Sequence, residues 1–246
     1  MLTMPILLIS LINSEVFLDV ILILSSTINS SSCNFLDKTD FLANLLIFLD
    51  NFLNLFRKDP EKVAEEWYNS KTELMEAFLG QEHNMVMHAI IPYEVGGTLD
   101  LYYYPNDING VGIATKELSR TPKKGSSNKI FKVYELVMFT KHDLDLDSDE
   151  NSDFGKMHSN ISSALNVIAR YSGSASLNPH ETCEFPAEME ELGGKCFIFD
   201  GYKSDGSKSL FGIMLVIEVF RDEMEFARNN GCSLLIEKLK EAGHYP

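Results

Sequence analysis

Two glutamates interrupt apolar segments that we predict to be strands, and they are the carboxylates most suited to chemistry. Glu135 begins the segment ELVMFTK, and Glu218 lies near the end of the apolar run 210–220. A carboxylate that faces a protein interior needs a charged or hydrogen-bonding partner. We expect each glutamate to lie on a solvent face or to pair with a lysine or arginine across the sheet. If they instead shared a cleft, their pKa values would be perturbed, as in an acid–base pair.

The aspartates that follow residue 142 have part of the spacing of a calcium-binding loop. Asp143, Asp145 and Asp147 fall at loop positions one, three and five. Position six is Ser148, where an EF-hand needs glycine, and position twelve is Phe154, where it needs a bidentate glutamate. We therefore interpret this acidic run as a solvated connector with the potential to contact a partner.

Other sites with a known sequence signature are not predicted. His180 and Cys183 are three residues apart, but the other histidines are scattered along the sequence and do not complete a zinc site with them. Gly110 and Gly112 imitate a dinucleotide fingerprint, yet the third glycine and the following helix are missing. Motifs for a serine nucleophile or a zinc protease are also missing. We predict no metal, no cofactor and no enzymatic activity.

Net charge restricts the classes of partner. The 246 residues carry 21 basic and 36 acidic side chains, a formal net charge of -15. Long-range repulsion opposes nonspecific binding to nucleic acid or to an anionic membrane, whereas a basic protein is attracted. The four cysteines are widely spaced without a C-x-x-C pair, which is typical of free thiols in a reducing compartment. We predict a cytoplasmic protein with a basic protein partner.

Residues 1–56 differ in composition from the rest of the chain and form the first predicted unit. They contain no glycine or arginine and a single lysine, Lys38. The segment 5–24 is apolar and nearly long enough to span a membrane, but Glu15 and Asp19 within it disfavour a span. Three interpretations stay open: a membrane-associated anchor, a pair of amphipathic helices, and a start codon assigned too far upstream, which we favour.

The second predicted unit, residues 57–246, begins with a helix. Asp59 is suited to the N-cap and Pro60 to the first helical position, and the helix should end near Gly80. Its apolar face is predicted from Val63, Trp67, Leu74 and Phe78, with Lys71 off that face.

Alternation of apolar and polar residues then predicts strands near 85–93, 98–104, 110–117 and 130–140 in an antiparallel meander. In the second of these, Tyr102 and Tyr104 share a face with Asp100. A helix over 154–171, strands over 195–202 and 210–220, and a closing helical segment over 222–242 with a break at Gly231 follow. The predicted fold class is α+β, a mostly antiparallel mixed sheet flanked by helices.

Two segments of this unit resemble a known family. The stretch GTLDLYYYPNDINGVGIATK, residues 97–116, and the later ELVMFTK, residues 135–141, are similar in order and spacing to the suppressor-of-fused domain family. The resemblance extends over residues 57–246 and is to the bacterial single-domain type. It implies a noncatalytic binding domain, since the animal member grips an extended peptide of a transcription factor and bacterial relatives are thought to be immunity proteins.

We accordingly predict a domain that neutralises a protein partner such as a toxin. Partner contacts are predicted from the acidic run and from two tyrosines: Asp143, Asp145, Asp147, Asp149, Glu150, Tyr102 and Tyr104. Two alternatives stay open. One is an adaptor that adds a peptide strand to an exposed sheet edge. The other is an enzyme of unknown type with a pocket that gathers Glu135, Glu218, His180 or Asp200.

Overall fold

The computed structural model describes residues 59–105, 109–145, 147–206 and 211–246. The predictions for residues 1–56 lie outside these ranges. In the described part of the chain, no helix combines the length and the apolar character that a membrane crossing requires.

The described residues form a fold built on a seven-stranded sheet. Its strands are β1 Val86–Met87, β2 Leu101–Tyr104, β3 Val111–Ala114, β6 Val133–Thr140, β7 Thr182–Glu184, β8 Cys196–Ser204 and β9 Phe211–Val219. Their order in the sheet is β1-β2-β3-β6-β9-β8-β7. A small hairpin, β4 Ser119–Thr121 and β5 Lys124–Gly125, is inserted before β6. All neighbours are antiparallel except β6 and β9, which are parallel. The predicted mixed, mostly antiparallel sheet is therefore confirmed.

Helices cover both faces of the sheet. The helices are α1 Pro60–Leu79, α2 Asp153–Ser172, α3 Arg221–Asn230 and α4 Cys232–Glu241. Alternate residues of the central strands supply the two cores, as the pleat requires. Leu136 and Met214 pack on the side of α2, whereas Val137 and Leu215 pack on the side of α1. The α3 and α4 helices cover β8 and the end of β9 on the same face as α1.

The α1 helix begins and ends where the sequence predicts. The side chain of Asp59 accepts a hydrogen bond from the backbone N–H of Glu61, Pro60 occupies the first helical position, and Gly80 follows the last turn. The buried face is rotated from the predicted one, however, because Lys71 lies on it and is buried with Trp67. The prediction that Lys71 lies off the packed face was wrong. The spacing of apolar residues along a helix cannot show that a charged residue is buried against a partner far away in the sequence.

The later elements follow the predicted pattern closely. The α2 helix buries Ile161, Leu165 and Ile168, and the closing segment is broken by Gly231, whose φ of 96° favours glycine.

The strand predicted over 85–93 is shorter, because the side chain of Asp100 accepts a hydrogen bond from the backbone N–H of Ala89 and ends the ladder. The chain then forms a loop with a short 3-10 turn, Tyr93–Val95, before β2.

Candidate functional site

A groove with a volume of about 980 Å³ lies between the edge strand β1 and the first half of α2. One wall is formed by β1 and the residue before it, with Met85, Val86 and Met87. The other wall is formed by polar residues of α2, including Ser159 and Ser163. We call this feature the acidic groove, for the carboxylates on its rim described below. A groove beside an edge strand can hold an extended peptide.

The floor of the acidic groove is aromatic and neutral. The hydroxyl of Tyr103 lies 2.9 Å from Nε2 of His158. The His158 ring stacks on Phe154, with 5.8 Å between ring centroids. Burial lowers the pKa of His158 and raises the pKa of Tyr103 to about 12, so both side chains are uncharged at neutral pH. The floor thus offers aromatic contact area without a charge.

Three carboxylates lie on the rim of the acidic groove and give it a negative charge. They belong to Asp145, Glu150 and Glu191, against one cationic side chain, Lys156. Glu191 also accepts a hydrogen bond of 2.6 Å from the hydroxyl of Ser163. This balance favours a cationic ligand.

The structure therefore places two of the predicted acidic contact residues, Asp145 and Glu150, in the groove. The other three, Asp143, Asp147 and Asp149, are exposed in the same connector. The carboxylate of Asp149 accepts hydrogen bonds from the backbone N–H groups of Asn151 and Ser152, which shapes the approach to α2.

The two predicted tyrosine contacts lie elsewhere. Tyr102 and Tyr104 are buried in the core under α1. The Tyr104 hydroxyl donates a hydrogen bond of 2.8 Å to Glu82, and Nζ of Lys116 lies 4.6 Å from the centre of the Tyr102 ring. Burial is the main cause that raises the pKa of both tyrosines. Both side chains are therefore engaged in packing and polar contacts within the chain.

Glu135 forms a buried ion pair with Lys71, at 3.0 Å between Oε1 and Nζ. Both carboxylate oxygens have further donors, which include the hydroxyls of Thr115 and Ser119 at 2.7 and 2.6 Å. Nζ of Lys71 also donates to the backbone carbonyl of Ser119 at 2.8 Å. A buried charge whose hydrogen-bonding capacity is filled in this way serves structure and leaves no free group for catalysis.

Glu218 lies far from this ion pair and is partly exposed, with its carboxylate 3.2 Å from Nζ of Lys195. For Glu218 the prediction of an exposed position or a basic partner across the sheet is confirmed. Glu135 also pairs with a basic residue, but Lys71 belongs to the α1 helix, so this pair does not lie across the sheet as predicted. The two carboxylates do not share a cleft, since Glu135 is enclosed under α1 and Glu218 lies at the far end of β9.

His180 and Asp200, two residues named for the enzyme alternative, do come together. Nε2 of His180 lies 3.3 Å from a carboxylate oxygen of Asp200, and Nδ1 lies 3.3 Å from the hydroxyl of Ser233. Such a line of groups is able to relay a proton. His180 and Ser233 are exposed. None of these three residues lines the acidic groove or the cavity at the ends of β6 and β9.

A second cavity of about 650 Å³ lies where β6 and β9 separate. Their pairing ends at Val137 and Leu215, and the cavity is lined by the ends of both strands, by part of α2 and by residues 243–246. It is a crevice at the carboxyl ends of two adjacent parallel strands, the place where α/β sheets commonly bind ligands. Its lining is mixed, with no cluster of one charge.

An apolar surface that was not predicted from the sequence lies beside the acidic groove. The side chains of Met85, Met87, Ile90, Ile91 and Val95 are exposed by 56, 47, 100, 57 and 74%, respectively. We call these five residues the edge patch. The available signal was the series of apolar residues that precedes Gly96 and Gly97, but the sequence did not show that these residues lie at the edge of the sheet.

Within the described ranges, no group of three or more histidine, cysteine, aspartate or glutamate side chains is arranged to hold a metal ion. The three described cysteines, Cys183, Cys196 and Cys232, are free thiols, and burial raises the pKa of each. These cysteines are therefore protonated and poorly nucleophilic at neutral pH.

Comparison with known proteins finds solved structures to which this chain is similar. The chain is similar to a solved structure described as "the Sufu-Fu complex crystal structure", with a TM-score of 0.46 and 14% sequence identity over 72% of this chain and 84% of that one. No family model matches the sequence, and no curated protein matches it. The resemblance to the suppressor-of-fused family stays a prediction.

Proposed function

We propose that this chain is a noncatalytic protein-binding domain that holds a basic protein partner in the acidic groove. The observation that carries the proposal is the groove itself, with three carboxylates on its rim and an uncharged aromatic floor. Protein interfaces commonly combine a fully buried apolar or aromatic centre with a polar rim. A partner that presents lysine or arginine beside an apolar side chain fits both parts of this surface.

The partner that we propose is a toxin domain, which the chain neutralises as an immunity protein. Many toxins that attack nucleic acid are basic, and the net charge of -15 would attract such a partner over a distance. The acidic groove would then fix the orientation of the encounter, because complementary charge raises the association rate and suppresses wrong partners. The proposed site of action is the cytoplasm.

The test is capture of partners by the tagged full-length chain from its native cell over a series of salt concentrations. A groove variant carries Asp145→Asn, Glu150→Gln and Glu191→Gln. A matched control carries Glu225→Gln, Glu237→Gln and Glu241→Gln, which remove the same charge from exposed positions of α3 and α4. We expect the wild type and the control to retain a basic protein at low salt and the groove variant to lose most of it.

Two results would contradict the proposal. One is equal retention of the basic protein by the groove variant and the control, which would place binding elsewhere. The other is that no retained protein is basic. The toxin assignment is tested separately by expressing the captured protein alone and with this chain, since an immunity function requires that coexpression restores growth.

A further inference from the structure

We infer that an extended segment of the basic partner pairs through its backbone with the outer edge of β1 and adds an eighth strand to the sheet. This inference rests on the proposed function, and it names the element and the type of segment that bind. Of the two edges of the seven-stranded sheet, β1 is the one that borders the acidic groove.

The hydrogen-bond pattern shows which backbone groups of β1 are directed outward. The carbonyl of Tyr103 accepts a hydrogen bond of 2.8 Å from His83, so the backbone groups of Tyr103, and of Leu101 two residues earlier, face β1. Met87 lies opposite Leu101, so the backbone of Met87 faces β2. Adjacent residues of a strand direct their backbone groups to opposite sides, and those of Val86 therefore point away from the sheet. A partner strand would pair there.

The side chains around this edge favour a segment in which apolar residues alternate with others. Met85 and Met87 line the groove, and the edge patch continues past them to Ile90, Ile91 and Val95. Ten large apolar side chains are exposed in the described residues, and five of them lie within residues 85–95. Such a concentration is typical of an interaction surface.

The charge of the groove rim indicates which residues stand between the apolar residues of the partner segment. The rim carboxylates of Asp145, Glu150 and Glu191 face a strand laid along β1, with Lys156 as the one cation of the lining. The segment that fits therefore carries lysine or arginine between its apolar residues. Edge strands protect themselves from unwanted pairing by their own charges, and an acidic rim excludes acidic segments while it admits basic ones.

The opposite edge of the sheet, β7, has arginine side chains beside it where the β1 edge has carboxylates. At β7, Arg221 and Arg228 approach the carboxylate of Glu184 at 2.6 and 3.6 Å, and Nε of Arg228 lies 3.3 Å from the hydroxyl of Thr182. These guanidinium groups contact side chains of β7, and two positive charges share one carboxylate there, which disfavours a basic segment. The charge distribution thus selects β1 for a basic partner.

The experiment uses an octapeptide of alternating lysine and valine with blocked ends as the probe, and the full-length chain. Two further peptides carry backbone N-methyl groups on the valines alone or on the lysines alone. Each N-methylated peptide keeps the charge and the side chains but loses the donors of one strand edge.

Dissociation constants are measured for the wild type, Val86→Pro and Val86→Ala. Proline removes the outward N–H of Val86 and keeps the ladder intact, because proline is tolerated at an edge strand; alanine is the matched control that keeps this N–H.

We expect the unmodified peptide to bind, and one N-methylated peptide to bind at least about fivefold more weakly than the other, because lost backbone hydrogen bonds weaken binding. Val86→Pro should weaken binding by about three- to tenfold relative to Val86→Ala. The N-methylated peptides give this test without a change in the protein, in case the proline variant is unstable.

Three outcomes would overturn the inference, and they separate it from the proposed function. If both N-methylated peptides bind equally well and Val86→Pro behaves as Val86→Ala, while the groove variant loses binding, the acidic groove binds cations without strand addition. If the groove variant also binds normally, the peptide binds elsewhere and the proposed function fails too. If the unmodified peptide does not bind, extended basic segments are not ligands of this edge.

Discussion

At the scale of single residues, the carboxylates of this protein are used in three different ways. Glu135 is buried and fully paired, the rim residues of the acidic groove are exposed, and Glu117 lies between these extremes. An oxygen of Glu117 accepts a hydrogen bond of 2.7 Å from the backbone N–H of Asp100. Burial raises the pKa of Glu117 to about 7, and repulsion from neighbouring carboxylates acts in the same direction while the backbone hydrogen bond opposes it.

The raised pKa of Glu117 predicts a pH-dependent gain of stability for Glu117→Gln. Because the folded-state pKa is above the ordinary value of 4.5, the folded protein holds a proton that the unfolded chain releases, and stability is lost as pH rises from about 4.5 to about 7. Glutamine keeps an acceptor for Asp100 and carries no charge. We expect the free energy of unfolding to rise by about 0.5–1 kcal/mol at pH 8, a value reduced for partial exposure.

The measurement is urea denaturation of wild type and variant at pH 8 and at pH 4. The gain should disappear at pH 4, where glutamate is protonated in both the folded and the unfolded chain. A variant that is equally stable to the wild type at pH 8, or that gains as much at pH 4, would contradict the assigned pKa direction.

At the scale of elements, the two central strands β6 and β9 determine how the helices are divided between the faces. The chain leaves β6 towards α2 on one face and leaves β9 directly into α3 on the other. At the start of β9, the ring of Phe131 lies close against Gly212. A Cβ atom at Gly212 would be only 2.4 Å from Cδ1 of Phe131.

This contact predicts that Gly212→Ala destabilises the protein. The added methyl group must displace a buried aromatic ring or a central strand, and overpacking of this type typically costs about 1–3 kcal/mol. Gly173→Ala is the matched control, because Gly173 has a φ of -71° and the nearest heavy atom to its Cβ position is 3.5 Å away. Thermal and urea unfolding of both variants give the comparison, and equal stability of the two would show that the ring moves freely.

At the scale of the whole molecule, the excess of acidic side chains acts over distances that no single contact reaches. The net charge of -15 is spread over the chain, but the acidic run from Asp143 to Asp153 concentrates part of it next to the groove. Screening shortens the reach of this field from about 30 Å at 0.01 M salt to about 10 Å at 0.1 M. Long-range attraction should therefore affect the rate of encounter more than the lifetime of the complex.

We expect the association rate constant of the lysine–valine octapeptide to fall by about tenfold between 0.01 and 0.1 M salt, with a smaller change in the dissociation rate constant. Stopped-flow fluorescence with a labelled peptide measures both constants. A salt effect confined to the dissociation rate constant would contradict long-range steering and would assign the charge effect to contacts inside the bound complex.

The amino-acid sequence by itself determined the local elements, because their signals come from neighbouring residues. The cap at Asp59 and Pro60, the apolar stripe of α2 and the break at Gly231 act within one or two helical turns. The class of the sheet followed from strand alternation and turn residues. The acidic run was also visible in the sequence, and it is the basis for proposing a basic partner.

Only the tertiary structure decided which of these elements meet. Lys71 and Glu135 are 64 positions apart, and alternation in a strand reports which residues share a face but not what covers that face. The same limit applies to β1, because the alternation of its residues does not show that it is an edge strand. Only the strand order shows this, and with it that Val86 and the edge patch lie open beside α2. Strand order depends on contacts between residues distant in the sequence, and the candidate site is a product of that order.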